Sequence, residues 1–462
     1  MDTLFDVAVI GAGVVGSAVA NRLSRFETKT VLIDAASDVG AGTSKANTAI
    51  LHTGFDATPS TLEAKLVHRG HILLKEYARR AGIPFEETGA CLIAWNEEEQ
   101  RALPFLHEKA LKNGVTGLQF LSPEKVYEME PHLGPGIRGG LLVPGESIIC
   151  PYSPPIAFAT EAVINGVTLR LSTEVTGVSV EEGIYRLKCE NDEIRSRWVV
   201  NAAGLYSDTI DRMVGYDRFT VTPRRGELIV FDKLARRLLS HIILPIPTKV
   251  SKGVLVSPTV FGNVLVGPTA QNIDNKKDAA TTDRGLCFLW EKANTLLPAL
   301  SREEITATYA GLRAATESGD YQLHCDPEKH YICVGGIRST GLSASLGIAE
   351  YLVEFFLNAG LNLVPKERYL DYQLPRRPQE FEFLISGNPD YGRLVCYCEG
   401  VSRGELWDAL HAPIPARSLD GLRRRTRCLQ GRCQGFFCLS KVTSLFTEVG
   451  VSTSSLLEAP SI

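Results

Sequence analysis

The chain has 462 residues, of which 44% are hydrophobic and 22% charged, and its net charge is −4. This composition is typical of a folded globular protein with about three structural units, and it excludes a disordered or collagen-like chain. The near balance of 49 basic and 53 acidic residues argues against a nucleic-acid binder and against a polybasic membrane anchor.

The sequence contains no membrane or export segment that we can identify. No run approaches the roughly 18 apolar residues that a membrane helix needs. The first strand-like run begins at Phe5, which is too early for a secretory signal. We therefore expect a cytoplasmic protein, with peripheral attachment at the inner face of a membrane as a compatible arrangement.

The N-terminal segment predicts a strand, a glycine turn, a helix and a second strand. Gly11-Ala12-Gly13-Val14-Val15-Gly16 follows the apolar run that ends at Ile10, and Asp34 ends the next strand 18 residues after Gly16. Glycines at these positions permit a tight turn and a close approach to a pyrophosphate, and the acidic side chain accepts hydrogen bonds from a ribose. The segment predicts a dinucleotide site that FAD or NAD would fit, with an ordinary strand-to-helix turn as the alternative.

The remaining elements follow in chain order. A helix is predicted over 62–81, and short β-prone runs over about 82–262 predict a mixed or antiparallel sheet. Apolar runs end abruptly at Gly204 and at Gly336, as buried parallel strands do before a ligand loop. A further helix is predicted over 344–357, and residues 364–391 read as an extended linker rich in proline, arginine and glutamate.

Two segments beyond the first turn favour FAD over NAD. They are Asn201-Ala-Ala-Gly204, followed by Ser207 and Asp208, and Gly335-Gly-Ile-Arg-Ser-Thr-Gly-Leu342. With the N-terminal turn, they resemble the D-amino-acid-oxidase-like superfamily of flavoproteins. The resemblance implies that the first segment approaches the FAD diphosphate and that the second lies along the isoalloxazine ring. It adds to the predicted FAD contacts Thr43, Ser44, Asn47, Thr48, Val175, Ala203, Gly204, Gly336, Thr340, Gly341, Leu342 and Ser343.

Further stretches narrow the resemblance. They include Thr43 to Phe55, Pro223-Arg-Arg-Gly-Glu227, Gly262 to Ala270 and Tyr309-Ala-Gly-Leu-Arg313. Together they resemble the FAD-dependent glycerol-3-phosphate dehydrogenase/oxidase group, with the L-2-hydroxyglutarate dehydrogenase group as near relatives. Both groups oxidise a secondary alcohol on a small anion.

The resemblance implies an α/β fold in which a Rossmann-like FAD-binding domain is interleaved with an antiparallel-sheet substrate domain, and a small helical iron–sulfur domain follows. The expected FAD-binding domain comprises residues 1–85, 150–222 and 305–365. The expected substrate domain comprises residues 86–149 and 223–304. A linker over 366–392, the iron–sulfur domain over 393–445 and a tail over 446–462 complete the chain.

His52 is the candidate catalytic base. Alcohol oxidation by FAD needs a base for the hydroxyl proton while hydride moves to flavin N5, and histidine suits that role near neutral pH. His52 follows the small-residue loop after the second strand, and members of the group place a catalytic histidine in this motif. A covalent link to the flavin and a purely structural role are the alternatives.

Arginine is the side chain best suited to hold an anionic substrate, because its planar guanidinium binds phosphate or carboxylate through two hydrogen bonds. Arg313 and Arg338 lie in glycine-containing segments beside the inferred flavin, and Lys252 is a third candidate. Arg313 is followed by Ala314-Ala-Thr316, whereas the usual loop of the group has proline there. This difference leaves phosphate and carboxylate substrates both open.

Eleven cysteines in a chain without an export signal argue against a disulfide framework. Five of them crowd into the last quarter of the chain, and Cys396-Tyr-Cys398 with Cys433-Gln-Gly-Phe-Phe-Cys438 gives a C-x-C and a C-x4-C arrangement. Four such thiolates satisfy a [2Fe-2S] cluster or a zinc ion, and spacing alone does not choose between them.

The cysteine segment resembles the bacterioferritin-associated-ferredoxin-like [2Fe-2S] domain, which occurs at the C-terminus of some glycerol-3-phosphate dehydrogenases. The resemblance implies a [2Fe-2S] cluster held by Cys396, Cys398, Cys433 and Cys438, and it leaves Cys428 outside the ligand set. Zinc and an empty site are the alternatives. The basic run from Arg423 to Arg427 is interpreted as a solvated helix face or as a docking site for an acidic electron acceptor.

The leading functional hypothesis is an FAD-dependent dehydrogenase that converts sn-glycerol 3-phosphate to dihydroxyacetone phosphate and passes electrons through the cluster to an acceptor subunit or a quinone pathway. One alternative is a dehydrogenase of L-2-hydroxyglutarate or a related 2-hydroxyacid. Another, from a different class, is an electron-transfer subunit that turns over no substrate on its own, and amine substrates also belong on the test panel.

Overall fold

The computed structural model describes residues 3–190, 192–247, 253–375, 385–452 and 456. Its α-helices are α1 (Val14–Leu23), α2 (Leu62–Ala81), α3 (Glu97–Lys112), α4 (Pro123–Met129), α5 (Ser153–Ile164), α6 (Ser207–Met213), α7 (Asp283–Leu296), α8 (Gly341–Asn358), α9 (Arg403–His411), α10 (Leu419–Thr426) and α11 (Leu439–Glu448). Short 3-10 helices lie at Thr43–Lys45, Gly204–Tyr206, Lys233–Leu238, Pro298–Arg302 and Pro389–Gly392. Within these described ranges, no helix is both long enough and apolar enough to cross a lipid bilayer.

The strands are β1 (Leu4–Ile10), β2 (Thr30–Ile33), β3 (Ile50–Leu51), β4 (Phe85–Glu86), β5 (Ala90–Ala94), β6 (Gln119–Leu121), β7 (Gly139–Val143), β8 (Ser147–Ile149), β9 (Thr168–Arg170), β10 (Val175–Glu181), β11 (Ile184–Cys189), β12 (Glu193–Asn201), β13 (Thr222–Phe231), β14 (Ile242–Pro245), β15 (Leu255–Pro258), β16 (Val264–Gly267), β17 (Gln271–Asn272), β18 (Ile305–Ala315), β19 (Gln322–Asp326), β20 (Tyr331–Gly335), β21 (Leu394–Cys396) and β22 (Val401–Ser402).

The first sheet has the order β10-β11-β12-β1-β2-β9, with β20 on β12 and β19 on β20. Strand β1 pairs in parallel with β2 and β12, and β12 pairs in parallel with β20. Strands β2 and β20 are buried at every residue, as expected for parallel strands that are covered on both faces. Helices α1, α2, α5 and α8 contribute to the core on one face. The predicted Rossmann-like FAD-binding fold is confirmed.

The second sheet has the order β17-β13-β16-β15-β14-β5-β7-β6, with β18 on β13. Its pairs are antiparallel except for β5 and β14, which run parallel. Two apolar clusters cover it. The predicted mixed or antiparallel sheet is therefore present, and its one parallel pair makes it mixed.

Sheet pairing bears on the predicted domain boundaries. Strand β18 pairs with β13 over its whole length, from Thr222 opposite Ala315 to Phe231 opposite Ile305. By pairing, residues 305–315 belong with the second sheet, although the prediction assigned 305–365 to the FAD-binding domain. We propose that the boundary lies after residue 315.

The helix predictions agree closely with the structure. Helix α2 spans the predicted 62–81, because Thr61 Oγ1 accepts the Ala64 amide at 3.1 Å at its start and Gly82 adopts φ +70° at its end. Helix α8 begins at Gly341, three residues before the predicted start, and ends at Asn358.

The C-terminal module contains β21, β22 and α9–α11 around its own apolar core. Helix α9 begins with a capping box, in which Ser402 and Glu405 satisfy each other's backbone amides. Helix α11 extends to Glu448, and Phe446 is fully buried. The predicted tail over 446–462 thus begins inside a helix of the module.

The first part of the predicted linker over 366–392 contacts the FAD-binding domain. Tyr369 donates its hydroxyl to Glu161 Oε1 at 2.9 Å, and Lys366 Nζ donates to the Asn165 carbonyl at 2.5 Å. Residues 376–384 of this linker lie outside the described residues. Near the end of the linker, the Tyr391 hydroxyl donates to Asp408 of helix α9, so this end packs on the C-terminal module.

A buried ion pair docks the module onto the FAD-binding domain. Asp38, which follows β2, accepts from Arg424 Nη2 at 2.6 Å and from Arg425 Nη1 at 2.6 Å. All three residues are nearly inaccessible at their side chains, and Lys45 pairs with Asp420 at 3.2 Å beside them. The interpretation of Arg423 to Arg427 as a solvated face was therefore wrong for Arg424 and Arg425, because tertiary packing buries them against a carboxylate.

We predict that Asp38→Asn lowers the free energy of unfolding by about 3 kcal/mol, because it removes the carboxylate that two buried arginine side chains share and leaves Arg424 with Asp420 alone. Urea denaturation followed by tryptophan fluorescence measures the change. Glu108→Gln is the control, since Glu108 pairs with Lys112 on an exposed helix face and should leave stability unchanged. Equal unfolding curves for the two variants would contradict the docking role of Asp38.

Candidate active site

The three segments predicted to bind FAD meet at one edge of the first sheet. Strands β1, β12 and β20 are parallel neighbours, so their carboxyl ends lie side by side. The residues that follow them are Gly11, Ala202 to Gly204 and Gly336, and the Ala202 amide donates to the Ile10 carbonyl at 2.8 Å. Topology thus brings together loops that are nearly 200 and 130 residues apart in sequence.

The glycine turn has the geometry that a diphosphate requires. Gly11 has φ +107°, and a Cβ on it would lie 2.4 Å from the Ala202 carbonyl oxygen. A Cβ on Gly16 would lie 1.8 Å from the Gly11 carbonyl oxygen. Helix α1 begins at Val14 with no acidic residue in its first turn, so its N-terminus favours an anion.

Two of the residues predicted to contact FAD, Ser44 and Asp34, stabilise this turn through hydrogen bonds. Ser44 Oγ accepts the Val14 amide at 2.9 Å. The Asp34 carboxylate accepts the Ala12 amide at 2.6 Å and the Ala36 amide at 2.8 Å. Burial raises the pKa of Asp34. Asp34 therefore fixes the turn in this structure, while its contact with a ribose stays a prediction.

The loop from Thr43 to Thr48 packs against strand β18. Thr43 Oγ1 donates to the Leu312 carbonyl at 2.9 Å, and the Tyr309 hydroxyl donates to the Asn47 carbonyl at 2.7 Å. A Cβ on Gly311 would lie 2.1 Å from the Ala46 carbonyl oxygen, which shows how closely backbone meets backbone here. Of the other predicted contacts, Val175 begins β10 and is buried, and Thr48 follows Asn47 in the same loop.

Helix α8 begins beside the predicted base. Its first turn, which contains Gly341, Leu342 and Ser343, has no acidic residue. Ser343 Oγ accepts the His52 amide at 2.8 Å. Thr340 donates to Glu63 Oε1 at 2.8 Å, which fixes the loop before the helix. His52 is thus held at the N-terminus of the helix that the resemblance places along the flavin ring.

His52 pairs with a carboxylate that sequence reasoning missed. His52 Nδ1 lies 2.8 Å from Glu146 Oε2, and the Glu146 side chain is fully buried. Glu146 Oε1 accepts both the amide and the hydroxyl of Thr53, at 2.6 and 2.8 Å. Glu146 lies 94 positions from His52, and no local pattern in the sequence links the two.

The structure distinguishes the predicted substrate-binding cations. Arg313 donates to the Thr269 carbonyl at 2.6 Å and more distantly, at 3.4 Å, to the Arg224 and Arg225 carbonyls. Among the residues that the structure describes, no carboxylate forms a salt bridge with it. Burial, with a smaller effect of Arg224, lowers the pKa of Arg313 to about 10, so it is cationic at neutral pH.

Arg338 differs from Arg313 because it already has an anionic partner. Its Nη2 lies 3.1 Å from Glu63 Oε2 and donates to the Gly319 carbonyl at 2.5 Å. These contacts tie the loop after β20 to helix α2. Lys252 lies outside the described residues. Of the two predicted cations that the structure describes, Arg313 is the one whose hydrogen-bond partners in the described chain are all carbonyl oxygens.

The C-terminal cysteines form two groups of thiols. The Sγ atoms of Cys396, Cys428 and Cys438 all lie within 4.8 Å of one another. Cys398 and Cys433 hydrogen-bond to each other through their side chains. A hydrogen bond from Cys428 lowers the pKa of Cys396, and the same contact raises the pKa of Cys428. Cys428, which the resemblance leaves outside the ligand set, lies directly among the thiols.

The donor set fits an iron–sulfur cluster. A [2Fe-2S] cluster takes four cysteine thiolates, and the two groups offer two thiols on one side and three on the other. Thiolate sulfur is a suitable ligand for such a cluster and for zinc alike. The described glycine turn and its helix N-terminus likewise fit a dinucleotide.

Comparison with known proteins identifies both parts of the chain. Residues 6–355 match the family described as FAD dependent oxidoreductase, and residues 394–448 match the BFD-like [2Fe-2S] binding domain. A glycerol 3-phosphate dehydrogenase from Caloramator mitchellensis is 37% identical, and the match covers 98% of this chain and 96% of the relative. Human mitochondrial L-2-hydroxyglutarate dehydrogenase is 29% identical over 58% of this chain and 61% of its own length.

A solved structure agrees with these sequence matches. The dithionite-reduced L-alpha-glycerophosphate oxidase from Mycoplasma pneumoniae, with FAD bound, matches with a TM-score of 0.76 and 29% identity. The match covers 81% of this chain and all of the oxidase chain. The chain therefore belongs to the FAD dependent oxidoreductase family and carries a C-terminal BFD-like [2Fe-2S] binding domain, and its cofactors are FAD and a [2Fe-2S] cluster.

Proposed function

We propose that this chain is a dehydrogenase that oxidises sn-glycerol 3-phosphate to dihydroxyacetone phosphate. The observation that carries the proposal is the match over nearly the full length of both chains to a glycerol 3-phosphate dehydrogenase, the cysteine module included. Bound FAD supplies the two-electron acceptor that takes a hydride from the carbinol carbon.

In this proposal Arg313 holds the phosphate. Among the described residues its guanidinium has only carbonyl oxygens as partners, and a partly buried cation without a carboxylate partner there is stabilised by a substrate anion. Gly226 makes room for it, because a Cβ at that position would lie 2.7 Å from Arg313 Nη2. Arg338 and Lys252 remain secondary candidates.

His52 accepts the hydroxyl proton in this proposal. Its backbone is fixed by Ser343 and its imidazole by Glu146, so the ring is held in one orientation. A positioned general base contributes about 10²- to 10⁴-fold in rate. Proton uptake by His52 and hydride loss from the same substrate carbon together convert the alcohol to a ketone.

For the electron outlet we propose that the cluster serves as a one-electron centre held by Cys396, Cys398, Cys433 and Cys438. The hydrogen-bonded pair of Cys398 and Cys433 suits one iron, and Cys396 with Cys438 suits the other. The ion pair of Asp38 with Arg424 and Arg425 holds the module against the FAD-binding domain, which supports an electron outlet within the same chain.

A 2-hydroxyacid dehydrogenase is the second candidate. The similarity to L-2-hydroxyglutarate dehydrogenase supports it, because Arg313 would bind a carboxylate as readily as a phosphate. The residues after Arg313, Ala314-Ala-Thr316, also lack the proline that is usual in the glycerol-3-phosphate group. The match to that enzyme covers much less of the chain than the match to the glycerol 3-phosphate dehydrogenase does.

We predict that sn-glycerol 3-phosphate bleaches the flavin absorbance of the anaerobic holoprotein. Glycerol, L-2-hydroxyglutarate and several amino acids complete the substrate panel. Bleaching by L-2-hydroxyglutarate alone would replace the substrate assignment with the second candidate. No bleaching by any alcohol or amine would instead indicate an electron-transfer subunit.

We predict that Arg313→Ala raises the KM for glycerol 3-phosphate about 10- to 100-fold, the range expected from loss of one charge-assisted contact of 1.5–3 kcal/mol. The phosphate-free substrate glycerol should react equally with the variant and the original protein. Arg338→Ala is the matched comparison, and we expect a smaller rise in KM because Arg338 already pairs with Glu63. A larger effect at Arg338 would reverse the assignment.

We predict that a single substitution to serine of Cys396, Cys398, Cys433 or Cys438 abolishes the visible absorbance of the cluster. The same substitution should remove the iron from anaerobically purified protein. Cys428→Ser should retain both, because Cys396 and Cys438 remain as a pair. Loss of iron in Cys428→Ser together with retention in Cys438→Ser would show that Cys428 is the true ligand. Zinc in place of iron would disprove the cluster.

A further inference from the structure

Glu146 occupies the position opposite His52 in a short antiparallel ladder. Strand β3 pairs with β8 through Ile50 opposite Ile148 and Leu51 opposite Ser147. The next residues in this register are His52 and Glu146. The ladder, rather than a chance side-chain contact, therefore sets the 2.8 Å distance between His52 Nδ1 and Glu146 Oε2.

From this arrangement we propose that Glu146 is a positioning residue that fixes the tautomer of His52. The proposal rests on the proposed role of His52 as the base. A carboxylic acid is a stronger acid than an imidazolium, so the shared proton resides on Nδ1 and is donated to Glu146. Nε2 then carries the lone pair that accepts the substrate proton, as a base needs.

The other oxygen of Glu146 fixes which end of the carboxylate faces His52. Oε1 accepts two hydrogen bonds from Thr53, one from its amide and one from its hydroxyl. Since both Thr53 groups donate, only an acceptor fits at that end of the side chain. The Glu146 side chain is fully buried, so water does not take over either role. Close contact also fixes the turn, because a Cβ on Gly145 would lie 2.8 Å from Thr53 Cγ2.

These contacts make Glu146→Gln an informative substitution. The glutamine carbonyl must stay with the two Thr53 donors, which turns the amide NH2 toward His52 Nδ1. An NH2 group donates and does not accept, so Nδ1 becomes the acceptor and the ring proton moves to Nε2. The variant keeps the size of the side chain while reversing the tautomer of the base.

The chain offers a matched control. His241 Nδ1 lies 2.8 Å from Glu130 Oε1, and Glu130 is also buried and accepts backbone amides, from Ser240 and His241. In this second histidine–glutamate pair, His241 directly precedes strand β14 of the other sheet and Glu130 directly follows helix α4. Glu130→Gln therefore repeats the same chemical change outside the proposed site.

The first measurement needs no substrate. The measurement is 15N NMR of holoprotein labelled with 15N-histidine, in which the His52 signals are those that disappear in the His52→Asn variant. We expect the Nδ1 of His52 to be protonated and its Nε2 to be unprotonated. Glu146→Gln should move the ring proton from Nδ1 to Nε2, and Glu130→Gln should leave the tautomer of His52 unchanged. A protonated Nε2 in the unsubstituted protein would overturn the proposal even if the variant failed to fold, and so would an unchanged tautomer in Glu146→Gln.

The second measurement is the rate of flavin reduction under anaerobic conditions. In Glu146→Gln we expect kcat to fall about 100-fold or more, while KM changes only a few-fold and the FAD content is unchanged. In the control Glu130→Gln we expect kcat to stay at the value of the unsubstituted protein. An unchanged kcat in Glu146→Gln would overturn the proposal. If no substrate reduces the unsubstituted protein, the proposed function fails, and the 15N measurement still decides the role of Glu146.

Discussion

The parallel pairing of β1, β12 and β20 is the constraint on which the site depends. Each of these strands ends in a loop, and the sequence alone does not show that the three loops lie close together. The pairing of the strands places the three loops at one edge of the sheet. Close approaches then follow, such as that of Gly11 to Ala202. The apolar side chains that bury these strands are thus also what assembles the dinucleotide site.

How far the sequence predicts the site depends on whether the chemistry is local. The glycine turn, the capping box at Ser402 and the cysteine spacings are short patterns, and the structure contains all three. Glu146 is different, because its role arises from a strand register that no short pattern records. Arg338 shows a further limit, since its carboxylate partner Glu63 lies on a different element and only packing reveals it.

The basic run near residue 425 shows how packing changes the meaning of a charge pattern. A row of arginines on a helix usually faces water, but here Arg424 and Arg425 are buried on Asp38. That contact joins the loop after β2, which belongs to the dinucleotide-binding unit, to the module that holds the cysteines. The same residues therefore link the two cofactor-binding parts of one chain.

In the proposed reaction a hydride leaves the carbinol carbon of glycerol 3-phosphate while His52 takes the hydroxyl proton. Stopped-flow flavin reduction with substrate deuterated at C2 tests it most directly. We predict that deuteration slows flavin reduction in the unsubstituted protein by a primary isotope effect. We also predict that flavin reduction in the His52→Asn variant is slower than in the unsubstituted protein. Reduction at equal rates with the two isotopes, at saturating substrate and in both proteins, would contradict it.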